Sequence, residues 1–365
     1  MTNNLKEYFP LIRDREEVLS DINKKLALRN TFNSWSVPQQ EEFLDFCTGV
    51  RGVKILNDSF FKEVMNPEYA PERLNDFLSN VLKQKVTILQ ALPNDSVRLA
   101  SEGSLLITDL IVELEDGSIV NLEVQRIGYK FPGERAACYS ADMLLRQYKR
   151  VRESKGKAFT YKNIKPVYII VLFEKSPEEF HNHPETYLHY AEAQSDTGIQ
   201  MNLLQKYVFI PLDIFQKTRH NKPIDNKVDA WLTFLSTEKP EAIERLITAC
   251  PEFKPMYDDI YELCRNTERV MDMFSKELQI LDENTVQYMM DEMQDTIDSQ
   301  KETIDSQNGT IGKLSHSLQE KDGTIKKQNT TIEKQSTTIE KQKQDLAEKD
   351  LLIQQLQQQL KNSQP

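Results

Sequence analysis

Residues 105–125 constrain this chain more than any other stretch. They read Leu-Leu-Ile-Thr-Asp-Leu-Ile-Val-Glu-Leu-Glu-Asp-Gly-Ser-Ile-Val-Asn-Leu-Glu-Val-Gln. Two apolar, β-branched runs flank an Asp-Gly turn, the strongest short-range signal for a hairpin. Side chains on a strand alternate between faces. Leu110, Val112 and Leu114 therefore oppose Asp109, Ile111 and Glu113, and Val120, Leu122 and Val124 oppose Asn121, Glu123 and Gln125. A two-residue loop, Asp116-Gly117, sets Asp109 against Val124 and mixes the faces. A three-residue loop, Glu115-Asp116-Gly117, pairs Asp109 with Glu123, Ile111 with Asn121 and Leu110 with Leu122. Gly117 then takes the left-handed position that closes such loops. A slip of one residue turns a whole apolar set to the wrong face.

Two carboxylates side by side repel, and a cation between them removes that cost. Mg²⁺ is commonly held by one or two carboxylates, with water and substrate phosphates completing its shell. Such an ion polarises a phosphodiester and acidifies a bound water. Spacing alone leaves this open against a solvated sheet face with ordinary surface acids.

Asp109, then Glu123-Val-Gln125 across a hairpin, resembles the core of PD-(D/E)XK nucleases, with Gln in place of the usual Lys. More narrowly, the chain is similar to the recombination-promoting nuclease or putative transposase family. The matching residues are Asp109, Gly117, Asn121-Leu-Glu-Val-Gln125, Arg135, Tyr139-Ser140 and Gln147, with Asp58-Ser-Phe-Phe61-Lys62 and Phe77-Leu-Ser-Asn80-Val-Leu82 upstream. The second upstream element carries one extra residue, so Asn80 bears no functional weight. The resemblance spans roughly residues 55–290. It implies a restriction-endonuclease-like α/β fold, a mixed sheet flanked by helices. It also implies DNA as substrate, and Mg²⁺ or Mn²⁺ held by Asp109 and Glu123, with Gln125 as the third catalytic residue. In such folds a helix before the sheet often adds an acid, and Asp58, Glu63 and Glu102 are the candidates. Asp58 also suits a helix N-cap, and Glu102 an ordinary loop acid.

The window 126–157 holds nine cations and three acids, a net of +6 in a chain of net charge −11. The overall acidity argues against nucleic-acid binding by the whole surface. A local cluster contacts phosphates without reading sequence. Arg135, Arg146, Lys149, Arg150 and Arg152, on a helix expected from about Glu134 to Arg152, are the candidate DNA contacts. A solvated helix face accounts for the charges equally well. Arg135 is also placed to offset transition-state charge, because Gln125 cannot.

Of the 365 residues, 39% are hydrophobic, enough for a real core. Cys47, Cys138, Cys250 and Cys264 have neither paired nor metal-type spacing and read as thiols in a reducing compartment. The first residues lack a signal-peptide core, and no run approaches the ~20 apolar residues of a spanning helix. The reading is a cytoplasmic protein with no membrane segment.

Along the chain, 1–50 reads as an N-terminal helical segment opening on Asp14 and again near Pro38. Residues 51–225 read as the nuclease-like core. Within it are helices Asp58–Met65 and Pro71–Leu82, an extended segment at Val86–Ala91, a strand buried on both faces at Lys165–Phe173, and a strand at Tyr207–Phe215 limited by Pro211. His181, His183 and His189 invite a metal-site reading, but with no Cys partners and with Pro184 among them they read as a polar loop. Trp35 and Trp231 read as packing residues. Residues 226–295 read as a helical subdomain and 296–362 as a heptad-repeat coiled coil. Ile297, Ile304, Ile311, Leu318, Ile325, Ile332, Ile339, Leu346, Ile353 and Leu360 fall seven apart, the mark of a left-handed coiled coil. Its second seam is mostly Gln and Lys, and Gly309, Gly312 and Gly323 weaken it, so a solitary helix or partial disorder stays open. The functional expectation is a metal-dependent DNA endonuclease, linked to recombination or transposition through the resemblance and assembled as a homo-oligomer by the tail. The alternative is an inactive DNA-binding or scaffold protein built on the same fold.

Overall fold

The computed structural model describes residues 4–92, 109–126 and 133–362. Met1–Asn284 form one compact unit and Thr285–Pro365 a second.

The hairpin has the register that alternation demands. Strand β2 (Asp109–Leu114) pairs antiparallel with β3 (Ile119–Gln125), with Asp109 opposite Glu123, Leu110 opposite Leu122 and Ile111 opposite Asn121. Leu114 donates its N–H to the Ser118 carbonyl at 2.9 Å, leaving Glu115, Asp116 and Gly117 as the loop. Gly117 has φ +85°, which an L side chain adopts only with strain.

Four more strands extend the hairpin into a six-stranded mixed sheet, ordered β1-β2-β3-β4-β6-β5. β1 (Ile88–Ala91) adds antiparallel to β2. β4 (Val167–Phe173) runs parallel to both β3 and β6 (Gln205–Pro211). All seven β4 residues are buried, as a central parallel strand covered on both faces requires. β5 (His189–Glu192) closes the far edge antiparallel to β6.

One of these strands ends where its proline limits it, and one departs from expectation. The apolar run at 207–215 is a strand only as far as Pro211, and Leu212 opens a helix. A buried strand and a buried helix face both read as apolar, and the missing N–H of proline marks the change. His189 starts an edge strand rather than lying in a polar loop, because an edge needs only one pairing partner and no apolar alternation.

The described residues hold thirteen helices. The N-terminal segment holds α1 (Asn4–Tyr8), α2 (Arg15–Lys24), α3 (Leu26–Ser34) and α4 (Val37–Cys47). Asp14 and Glu17 make the capping box of α2, and Ser36 and Gln39 that of α4. Next come α5 (Asp58–Val64) and α6 (Pro71–Leu82), then α7 (Gly133–Lys155) across one sheet face, and the short α8 (Glu178–His181). α9 (Leu212–Thr218), α10 (Lys227–Ser236), α11 (Pro240–Ala249), α12 (Lys254–Arg265) and α13 (Thr267–Asn362) complete the order. Asp58 is not the N-cap of α5. Asn57 is, and Asp58 begins the helix with its N–H donating to Glu277 at 3.0 Å. A carboxylate from elsewhere thus fills the role a capping side chain normally takes.

Each sheet face has its own core. Val112, Leu114, Val120, Leu122, Val124, Ile170 and Leu172 join a large cluster that reaches from Leu5 to Phe274. Trp35 and Phe43 meet Phe274 at ring separations of 5.0 and 5.7 Å, so the N-terminal helices share this core. Trp231 packs as expected and donates its indole N–H to Asp76 at 2.6 Å. On the opposite face Ile111, Ile119, Ile169, Val171 and Phe173 pack with Ala136 and Met143 of α7. Glu123 and its neighbours lie on this second face.

The tail residues described are helical through Gly309, Gly312 and Gly323. Their apolar stripe from Ile297 to Ile353 is at least half exposed at each of its nine positions.

Candidate active site

The pleat gathers Asp109, Ile111 and Glu113 of β2 and Asn121, Glu123 and Gln125 of β3 onto the α7 face. Glu123 is fully buried, and its Oε1 accepts a hydrogen bond from the Gln125 amide. Asn121 is 1% exposed, and its Oδ1 meets no hydrogen-bond donor among the described residues. Such an orphaned acceptor is costly unless something supplies a partner. Glu113 is already committed, accepting from Arg150 at 2.5 Å and Gln90 at 2.7 Å. The Asp109 side chain and Glu102 lie outside the described residues.

Helix α7 is fixed over this face at two levels. At the hairpin turn, the Gln147 amide donates to the Gly117 carbonyl at 2.6 Å and accepts from the Lys165 N–H at 3.1 Å. Farther along, Ser140 Oγ is 2.6 Å from the Tyr207 hydroxyl and accepts from Gln205 at 2.7 Å. Tyr207 is aligned through Ile169 with Asn121, so Ser140 sits at the level of Asn121. One turn nearer the helix N-terminus is about 6 Å, or two strand residues. That step brings Ala136 and Arg135 to the level of Glu123. Arg135 donates to the Tyr139 hydroxyl at 2.7 Å.

The other basic candidates lie at the opposite end of α7. From Arg135 to Arg150 is fifteen residues, about 22 Å of helix. Arg146 pairs with Asp142 at 2.8 Å, Arg150 with Glu113, and Arg152 donates to the Tyr148 hydroxyl, while Lys149 is exposed. Arg135 therefore lies near the N-terminal end of α7, and the other four lie toward the hairpin-turn end that Gln147 marks. Arg126, counted among the nine cations, is buried and paired with Glu174 at 2.9 Å and with Glu277.

That pairing belongs to a network with no signature in the local sequence. Glu174 donates its backbone N–H to the Gln125 carbonyl at 2.9 Å, while its carboxylate binds Arg126 and Lys54. Glu277 of α13 accepts from Arg126 and from the Asp58 N–H. The end of β3 that carries Gln125 is thus clamped by main chain and side chain, and tied to the start of α5. Among the upstream acids, Asp58 pairs with Lys62 at 2.8 Å and Glu63 with Arg269 at 2.7 Å. Arg126 and Glu277 are 151 residues apart, a distance no local pattern spans.

Among the described residues no three His, Cys, Asp or Glu side chains form a metal-holding group. His181 instead bonds Asp213 at 3.1 Å and Ser176 at 3.0 Å. The residues on the hairpin face are nevertheless hard oxygen donors: the Glu123 carboxylate, Asp109 across the ladder, and the orphaned Asn121 amide oxygen. That donor set suits Mg²⁺ or Mn²⁺.

A family model described as PD-(D/E)XK nuclease family transposase matches residues 55–289. No curated protein and no solved structure matches the chain.

The clamp has a pH signature. Burial pushes the Glu174 carboxyl up, but Lys54 and Arg126 outweigh it and hold it below the ordinary carboxylate range. A carboxyl with a lowered folded pKa gives stability that is complete above the unfolded value, about 4.3 for Glu. That stability is lost as pH falls through the folded value. Denaturant midpoints from neutral to acid pH are expected to fall below about pH 4.3 in the wild type. Glu174→Gln is expected to start weaker and to lose less over the same range. Identical acid slopes for the two proteins would exclude the clamp as a source of acid sensitivity.

Proposed function

The chain belongs to the PD-(D/E)XK nuclease family transposases, and from that premise we propose that it is a metal-dependent DNA endonuclease centred on Asp109 and Glu123. The observation that carries the reading is the ladder pairing of Asp109 with Glu123. The backbone register puts residues 109 and 123 on one sheet face, beside the buried Asn121. Asp109 and Glu123 would hold Mg²⁺ or Mn²⁺, with Asn121 facing the same volume. Once bound, the ion supplies charge to polarise the scissile phosphate and to acidify a water.

The chain's own residues do the rest. Gln125, bonded to Glu123, orients the attacking water through its neutral amide. It cannot add the positive charge a lysine brings to this position. Arg135, at the level of Glu123, supplies that charge to the phosphate as it gathers negative charge in the transition state. Arg146, Lys149, Arg150 and Arg152 contact the sugar–phosphate backbone farther along α7, where Arg146 and Arg150 share their charge with Asp142 and Glu113. Asp58 and Glu102 are the candidates for an additional acid. The family description adds transposition as the setting, and recombination enters through the resemblance alone. No helix among the described residues is long and apolar enough to cross a membrane.

The heptad tail adds a partner. A single stripe of Ile and Leu cannot be buried within one helix. Parallel copies of the same chain bring identical heptads into register, and each buried side chain contributes roughly 1.5–3 kcal/mol at full burial. The Gln-rich second seam lowers that total. A homo-oligomer places two nuclease units together, suited to acting on two strands.

In a plasmid-nicking assay, cleavage is expected with Mg²⁺ or Mn²⁺, to vanish in excess chelator and to fall at least about a hundredfold in Glu123→Ala. Gln125→Ala is expected to lower turnover while metal affinity holds. Robust cutting by Glu123→Ala would falsify the assignment, and an inert wild type that still binds DNA would favour the scaffold alternative. Sedimentation at micromolar concentration tests the tail separately. Full-length protein is expected to self-associate and a chain lacking residues 296–365 to stay monomeric; two monomers would leave the tail a solitary helix.

A further inference from the structure

At the hairpin-turn end of α7 three aromatic rings gather in a cationic surface. Tyr148, on α7, and Tyr161, just beyond it, stack with centroids 6.1 Å apart and planes 9° apart. Phe159 meets both edge-on, 5.6 Å from Tyr148 and 5.4 Å from Tyr161. Arg152 lies 5.7 Å over the Tyr148 ring. Tyr161 is 74% exposed, so this stack is presented to solvent instead of being folded into either core.

Charge surrounds the rings. Residues 148–165 carry seven cations and one acid, Glu153, a net of +6 within a chain of −11. Arg150 is taken by Glu113. The other six, Lys149, Arg152, Lys155, Lys157, Lys162 and Lys165, are exposed, and none forms an ion pair among the described residues. Cations alone suffice to follow a duplex backbone. Exposed stacked rings add something only where base faces are available, and in a duplex those faces are covered by neighbouring bases. Proteins that hold single strands combine these two elements, a cationic track and aromatic platforms.

We propose that Tyr148, Phe159 and Tyr161, with the lysines around them, form a stacking platform for single-stranded DNA. The substrate is then DNA carrying an unpaired segment. This rests on the nuclease reading and narrows its substrate. Tyr148 lies thirteen residues along α7 from Arg135, about 20 Å, so the unpaired segment is gripped well away from the carboxylate pair.

The test is fluorescence anisotropy of the full-length protein in excess chelator, with a thymidine homopolymer and a blunt duplex of equal length. Stacking is worth about 1–3 kcal/mol per base. Tyr161→Ala is therefore expected to weaken single-strand binding roughly 5- to 150-fold and to leave duplex binding unchanged, with Tyr161→Trp restoring affinity. The joint change Lys155→Glu and Lys157→Glu is expected to weaken both and to flatten the salt dependence. Because Tyr161 is so exposed, its replacement should not move the melting temperature. Unchanged single-strand affinity in Tyr161→Ala, or an equal loss on duplex, overturns the platform. So does Tyr161-dependent binding to phosphatidylserine vesicles in a protein that ignores the single strand. Chelator removes cleavage from the readout, so failure here is separable from failure of Glu123 as a catalytic residue.

Discussion

Antiparallel pairing of Asp109 with Glu123 is the constraint on which the candidate site depends. Like charges at directly opposed positions destabilise a ladder, and the cost grows where one of them is withdrawn from water. Glu123 is fully buried. The register cannot relax, because a one-residue slip would turn Val112, Leu114, Val120 and Leu122 out of the larger core. The apolar faces therefore fix position 109 opposite Glu123, the arrangement on which the proposed cation site rests.

The surroundings keep this arrangement stiff. Gln147 joins α7 to the hairpin turn and to the start of β4, while Ser140 meets β6. At the other end of β3, Glu174 holds the Gln125 carbonyl and the Arg126 guanidinium, and Glu277 joins Arg126 to the start of α5. Positioning of this kind matters for phosphoryl chemistry, where small displacements of the groups around the reacting atoms are costly. Residues matching the family pattern at Gly117, Ser140 and Gln147 are thus accounted for by packing α7 on the hairpin.

Much of this was legible in the residues themselves. Period-two alternation with a three-residue loop gave the hairpin register, and the unbroken apolar run 167–173 gave the central strand. Pro71 marked the start of α6. What escaped is of two kinds. Long-range partners leave no local pattern, as with Glu277, which binds Arg126 and accepts from the Asp58 N–H. Residues with several ordinary uses are the second kind: His189 in an edge strand, and Tyr148, Phe159 and Tyr161, each unremarkable until the fold stacks them. The tail is intermediate. Its stripe is plain in the sequence, and its helix continues through three glycines because the cost of each, about 1 kcal/mol, is spread among many better helix formers.

The central claim is that Asp109 and Glu123 share one divalent cation, and Mn²⁺ binding followed by electron paramagnetic resonance tests it without relying on cleavage. The wild type is expected to bind Mn²⁺, and Asp109→Ala and Glu123→Ala are each expected to weaken binding at least about tenfold, comparable to the effect of disturbing a metal site's supporting residues. Glu113→Ala, on the same face but bound to Arg150, is expected to bind as the wild type does. Equal Mn²⁺ affinity in all four proteins would contradict the account.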